Sequence, residues 1–96
     1  MKRANERSLG EIIREVLKQH RLNDKLTETR IMGSWEKIMG THIAGYTSGM
    51  SLRGKTLTVF LSSSVLRSEL SFAKTKIIRM INEEMGQDLI GDIRFN

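Results

Sequence analysis

The sequence predicts a two-layer α+β sandwich in which helices cover one face of a three-stranded sheet. Apolar residues first recur at helical spacing, then alternate between residues 50 and 61, and both patterns return once before the end of the 96-residue chain. Each change of period marks a change of element. The predicted order is helix, helix, strand, strand, helix, strand, which fits a single domain at residues 8–96.

The first predicted helix covers residues 8–20. Ser8 and Glu11 have the spacing of a capping box, which satisfies free backbone N–H groups at a helix start. His20 closes the helix, where its charged form would favour the helix dipole. Residues 1–7 are then expected to be a flexible basic tail that includes Lys2 and Arg3. The apolar stripe of the helix consists of Leu9, Ile12, Ile13, Val16 and Leu17.

The second helix contains the only tryptophan. Residues 21–24 predict a turn, and an apolar residue then recurs every four positions up to about Ala44. Trp35 belongs to this stripe, so we expect it to seat the helix on the sheet and to be buried. Gly45 is predicted to end the helix in the left-handed conformation. The stripe is Ile31, Trp35, Met39 and Ile43, with His42 expected as a packed histidine beside it.

Two glycines interrupt this second helix. Gly33 and Gly40 each weaken a helix by about 1 kcal/mol relative to alanine. Glycine at such positions suggests the close approach of another backbone.

A hairpin follows the second helix. Alternation over residues 56–61 places Leu57 and its alternate neighbours on one face of a strand and Phe60 on the other. Gly54 supplies the positive φ that a tight turn needs. Arg53 and Lys55 therefore flank the tip of the hairpin.

The last elements are a helix over residues 64–85 and a strand near the end of the chain. Serines at 62–64 offer N-caps, and Gly86 ends the helix. The final strand is predicted to direct Leu89, Ile93 and Phe95 to one face. The helix stripe is Leu66, Leu70, Ala73, Ile77 and Ile81.

Composition limits the classes of function. The chain has no cysteine, so it offers no disulfide, thiol nucleophile or thiolate metal site, and a reducing cytoplasm is expected. No apolar run reaches the roughly 20 residues of a membrane span, so we expect a soluble protein without a membrane partner. Only two histidines could act as general bases, and neither belongs to a nucleophile motif. We therefore expect no enzymatic activity, cofactor, metal or small-molecule substrate.

Binding is better supported than catalysis. The formal net charge of +5 favours polyanionic partners. At 100° per residue, Phe72 falls among charges on the outer side of the third helix, where it could stack a base or anchor a partner helix, or pack under a neighbouring segment. The candidate phosphate contacts are Arg53, Lys55, Arg67, Lys74, Lys76 and Arg79, with Lys2 and Arg3 adding reach.

The element order resembles the KH fold in its second topological form. KH domains clamp nucleic acid with a Gly-x-x-Gly loop, and no two glycines of this chain have that spacing. Recognition of RNA in the usual KH manner is therefore not expected.

Several stretches together resemble the DciA family, once known only as a domain of unknown function. They are "KIMGTHIAGYTS" after Trp35, "LRGKTLTVFLSSSVLRSEL", and "IIRMINEEMGQDLIGDIRF". The resemblance begins at about Ser8. It implies a bacterial KH-like domain that binds DNA and the DnaB-type replicative helicase and assists helicase loading, without a nucleotide-hydrolysis motif.

Two other functions remain open from the sequence. The chain could be a protein-interaction module without nucleic-acid binding, acting through Phe72 or the face of the first helix. It could also be a KH-like protein associated with RNA or the ribosome. The preference for single- or double-stranded DNA is likewise open.

Overall fold

The computed structural model describes residues 7–96 as four helices and a three-stranded sheet. The α+β class and the predicted order are confirmed, although the helices divide at different places. The predicted tail residues Lys2 and Arg3 lie outside the described residues. The elements are α1 (Leu9–Met39), α2 (Thr41–Gly45), β1 (Thr47–Arg53), β2 (Thr56–Leu61), α3 (Ser64–Ser71), α4 (Lys74–Met85) and β3 (Asp92–Phe95).

Helix α1 is continuous over 31 residues, so the predicted turn at residues 21–24 is wrong. The chain has neither glycine nor proline between residues 11 and 32, and nothing there breaks the backbone hydrogen bonding. The predicted N-cap is confirmed, because the Ser8 hydroxyl accepts a hydrogen bond from the Glu11 N–H at 3.1 Å. His20 consequently lies inside the helix rather than at its end.

The end of this helix is set by Gly40. Gly40 has φ 89°, a left-handed value that glycine adopts without strain, and its N–H donates to the Glu36 carbonyl at 2.7 Å. The short α2 then ends with Gly45, which does not have positive φ, so the expected left-handed cap at Gly45 is wrong. The expected close approach at Gly33 and Gly40 is also wrong, since no heavy atom lies within 4 Å of a Cβ built at either position.

The sheet has the order β1-β2-β3. Strands β1 and β2 form the predicted antiparallel hairpin, with Gly54 at φ 60° in its turn, and β3 pairs parallel to β2. Because β3 runs parallel to β2, Asp92 lies opposite Thr56 at the hairpin end of the sheet. Phe95 lies opposite Val59, toward the other end.

The predicted third helix is divided into α3 and α4 at Phe72 and Ala73. The Ser63 hydroxyl caps α3 by accepting from the Leu66 N–H at 3.2 Å, and left-handed Gly86 ends α4, as predicted. Ala73 makes no side-chain cap at the start of α4. The apolar stripe keeps its spacing across this break, so the two helices still bury one common face.

The core lies between the sheet and the helices. Trp35 is 2% exposed, as predicted, and its indole N–H donates to the Thr47 hydroxyl at 2.9 Å. Thr47 in turn donates to the Ile43 carbonyl at 2.9 Å, which ties α1, α2 and β1 together. The buried apolar residues are Ile31, Trp35, Ile38, Leu52, Leu57, Val59, Leu61, Leu70, Ile77, Ile81, Ile90 and Ile93.

Asn82 holds the connection between α4 and β3. Its amide oxygen accepts from the N–H groups of Leu89 and Ile90, both at 3.0 Å. Its amide nitrogen donates to the Ile90 carbonyl at 2.9 Å and to Asp88 at 3.1 Å. Leu89 therefore lies before β3, and Ile90 fills the buried position that the sequence had assigned to Leu89.

No helix within residues 7–96 combines the length and the apolar character needed to cross a membrane.

Candidate nucleic-acid and partner interface

The predicted cations at the hairpin tip are exposed. Arg53 and Lys55 flank the turn, and Lys55 Nζ lies 3.7 Å from a carboxylate oxygen of Asp88. Asp88 also lines an open groove beside α4 together with Arg79. The hairpin tip and the groove beside the middle of α4 thus bring three cations to one end of the sheet: Arg53, Lys55 and Arg79.

Two other predicted cations lie at the opposite end. The half-buried Arg67 donates from Nη1 to the Leu61 carbonyl at 2.7 Å, which holds its guanidinium at the end of β2. Lys74 begins α4, about 17 Å from the C-terminus of that helix at 1.5 Å per residue. The exposed Lys76 lies between the two ends. The predicted cations therefore form two groups at opposite ends of the sheet rather than one patch.

Acidic side chains limit the positive surface near the hairpin. The Asp24 carboxylate accepts from the Gly54 N–H at 3.1 Å, and Glu28 accepts from the Leu52 N–H at 3.1 Å. Both N–H groups lie on the outer edge of the sheet, and helix α1 satisfies them. This contact, which no short-range sequence pattern indicates, fixes the hairpin against α1.

Phe72 is 89% exposed at the junction of α3 and α4. The alternative that it packs under a neighbouring segment is therefore wrong. A large apolar side chain left in water at a helix junction is a candidate anchor for a partner.

Helix α1 carries a second apolar surface. The first half of the helix extends beyond the sheet, and its predicted stripe is 41–73% exposed. We call this segment the overhang, residues 9–22. Its stripe points to the same side of the helix as Ile31 and Trp35, so a core-facing pattern continues past the end of the core.

The histidines do not form a catalytic arrangement. His20 is exposed on the overhang, and His42 is exposed with its ring 5.2 Å from that of Tyr46 in an edge-to-face geometry. The expectation that His42 is packed is therefore wrong. Within residues 7–96, no group of three or more His, Cys, Asp or Glu side chains is placed to hold a metal ion.

Arg94 is an exposed cation that was not among the residues predicted from the sequence. It lies in β3, on the face of the sheet opposite the helices, and is exposed there. The register places it beside Thr58 of β2, two residues from Phe60. The alternation of β3 could have identified Arg94 from the sequence. Because Ile93 and Phe95 face the core, the residue between them must face the opposite side of the sheet.

Comparison with known proteins matches the sequence of this chain to one family. The family model described as "Dna[CI] antecedent, DciA" matches residues 8–95. The chain is similar to UPF0232 proteins of Rhodococcus jostii (24% identity over 85 residues, 88% of this chain and 45% of the relative) and Corynebacterium glutamicum (22% over 87 residues, 91% and 49%). A UPF0232 protein of Mycobacterium tuberculosis is 22% identical over 86 residues, 90% of this chain and 46% of the relative.

The chain spans about half the length of the curated relatives that it matches. The match to the family model nevertheless includes every helix and strand that the structure describes. This chain therefore belongs to the DciA family.

Proposed function

We propose that the protein is a non-enzymatic accessory of bacterial DNA replication that binds DNA and the DnaB-type replicative helicase and assists helicase loading in the cytoplasm. The observation that carries this proposal is the family match over residues 8–95. The net charge of +5 and the cations at both ends of the sheet, exposed at the hairpin end and half-buried at the other, support the DNA part.

The cations suggest how DNA is held. Arg53, Lys55 and Arg79 would contact phosphates at the hairpin end, and Arg67 and Lys74 at the other, with Lys76 between them. Strand β2 spans about 17 Å between the hairpin and the Arg67 end at about 3.3 Å per residue, so contact with both ends requires about five nucleotide steps of 3.4 Å along one strand of a duplex. Lys2 and Arg3 would add contacts beyond the described residues.

The salt dependence of binding tests this part of the proposal. We expect the logarithm of the association constant to fall linearly with the logarithm of salt concentration, and each lost phosphate contact to reduce the slope by about 0.9 on duplex DNA. The variant Lys55→Gln should therefore bind duplex DNA more weakly than the wild type, and its association constant should depend less steeply on salt concentration. Binding that does not change with salt would contradict phosphate contact.

The helicase would engage the exposed Phe72. A side chain that is 89% exposed contributes little to the stability of the free protein, so its truncation isolates an effect on the partner. We would mix the protein with the replicative helicase of its own host and measure the mass of the complex by size-exclusion chromatography with light scattering. A complex of defined stoichiometry is expected for the wild type.

The variant Phe72→Ser should weaken this complex, whereas Tyr46→Ser, which removes an aromatic ring that is 41% exposed elsewhere, should not. Absence of a wild-type complex, with or without DNA, would contradict the helicase role. If Phe72→Ser forms as much complex with the helicase as Tyr46→Ser does, the contact lies on another surface.

The overhang favours a second candidate function, a protein-interaction module without nucleic-acid binding. Its apolar stripe suits a partner helix, which would lie against Ile13 and Val16. This function predicts partner binding together with no DNA affinity at moderate salt. The salt titration therefore separates the two candidates.

A further inference from the structure

Within residues 7–96, the face of the sheet opposite the helices is exposed or half-buried over its three strands. Buried residues alternate with exposed or half-buried ones along β2, and the described helices pack on the buried side. The register aligns Gly49 with Phe60, Thr58 with Arg94, and Arg53 and Asp92 with Thr56. We call this surface the open face: Gly49, Arg53, Thr58, Phe60, Asp92 and Arg94.

Phe60 forms a flat apolar platform on the open face. It is 39% exposed, and its ring lies against Gly49, where a Cβ would stand 4.0 Å from Cδ2 of the ring. Glycine leaves room for the ring to lie over the neighbouring strand. An aromatic ring held in this way on a sheet can stack a base of any sequence.

Two guanidinium groups accompany this platform. Arg94 is a diagonal neighbour of Phe60, a relation that spans about 7–8 Å between strands. Arg53 lies two strands from Arg94 and two residues along, about 12 Å away. Within residues 7–96, neither group forms an ion pair within 4.0 Å, so both are available to an anion.

The pattern of charge indicates a polyanion that also offers flat apolar groups. Asp92 is the one acidic residue among the six, and it lies in the row of Arg53, at the end away from Phe60. The bases of a duplex are stacked on each other and cannot lie on a ring, whereas those of a single strand can.

We propose that the open face binds single-stranded nucleic acid of any sequence, with Phe60 stacking one base and Arg94 and Arg53 contacting phosphates on either side. This inference rests on the proposed function and specifies its strand preference. A sheet face of this size accommodates two or three bases.

Fluorescence anisotropy with a labelled oligo-dT of about 12 nucleotides tests the proposal, since single-strand sites cover about 4–16 nucleotides. We expect Phe60→Leu to bind roughly 5- to 100-fold more weakly and Phe60→Tyr to bind like the wild type, because only the tyrosine keeps the ring. Arg94→Gln should bind more weakly and lower the salt slope by about 0.7 for one single-strand phosphate contact. Asp92→Asn should bind more tightly.

The matched control for charge is Arg14→Gln on the overhang. It also removes one arginine charge, and it should bind the oligonucleotide as tightly as the wild type does. Thermal unfolding of each variant ensures that weaker binding is not loss of the fold. Oligo-U and duplex DNA of equal length complete the set. Weaker binding to the duplex is expected, and the RNA arm shows which single strand is preferred.

Several results would overturn the inference. If Phe60→Leu and Arg94→Gln bind like the wild type, the open face is not the site, although DNA binding as such stands. If the variants lose as much affinity for duplex DNA as for single strands, the open face contacts phosphates but does not stack bases. Loss of the helicase complex with DNA binding intact would make it a protein interface. If the wild type binds no nucleic acid, the proposed DNA binding fails too.

Discussion

At the scale of single residues, Trp35 joins the helical layer to the sheet in two ways. Its ring fills the centre of the core, and its indole N–H is satisfied by Thr47, the first residue of β1. The spacing of apolar residues predicted the burial, because a stripe every four residues marks one helix face. It could not predict the hydrogen bond, which joins residues twelve positions apart through the bend at Gly40.

Replacement of Trp35 tests this role. We expect Trp35→Ala to lower the free energy of unfolding by about 3–5 kcal/mol, because it leaves a large cavity and removes the indole N–H from which the Thr47 hydroxyl accepts. Trp35→Phe keeps most of the apolar volume and should cost less. Urea titration followed by circular dichroism measures both. A Trp35→Ala protein of wild-type stability that had lost a partner would instead assign this residue to binding.

At the scale of elements, α1 protects the edge of the sheet. Asp24 and Glu28 lie one helical turn apart and accept the N–H groups of Gly54 and Leu52. Unpaired edge groups invite pairing with other chains, so this contact also limits association. Asp24 also belongs to the segment that suggested a turn in the sequence, because asparagine and aspartate favour turns and caps. Tertiary contact with the hairpin overrides that local preference.

Glu28 is the stronger test of the edge contact, since its side chain is largely buried (16% exposed). We expect Glu28→Ala to lower the free energy of unfolding by about 1–3 kcal/mol, because the partly buried Leu52 N–H then lacks an acceptor. Glu28→Gln retains an acceptor oxygen and should cost less. Glu69→Ala, which removes an exposed carboxylate from α3, is the control. Equal stability of all three variants would show that water satisfies the strand edge.

The division of α3 from α4 shows a different limit of sequence reasoning. Leu70, Ala73 and Ile77 continue one helical stripe, and neither glycine nor proline marks the break at Phe72. The stripe predicted which face is buried. The break instead places Phe72 at a junction, and its 89% exposure decides between the two positions that the sequence allowed for this side chain.

At the scale of the whole molecule, the sequence predicted the layers but not the shape. The spacing of apolar residues and the positions of turn residues were enough to predict the sheet, the hairpin and the core, because each of these depends on the local order of residues. The position of Arg79 beside the hairpin cations depends on how β3 pairs with β2, which involves residues about 36 positions apart. The candidate interface could therefore be predicted as a set of residues but not as an arrangement.

The overhang makes the molecule long, and small-angle X-ray scattering can measure this. The Cα radius of gyration is 17.2 Å and the principal extents are 63 × 26 × 20 Å, whereas a compact chain of this length has about 12.5 Å. We expect a radius near the larger value. A turn at residues 21–24 would fold the overhang back and give a radius near the smaller one. Because the exposed stripe could associate, a dilution series is the control: a radius that falls toward 12.5 Å on dilution would contradict an extended monomer, and one that stays near 17.2 Å at every concentration would support a monomer with α1 extended.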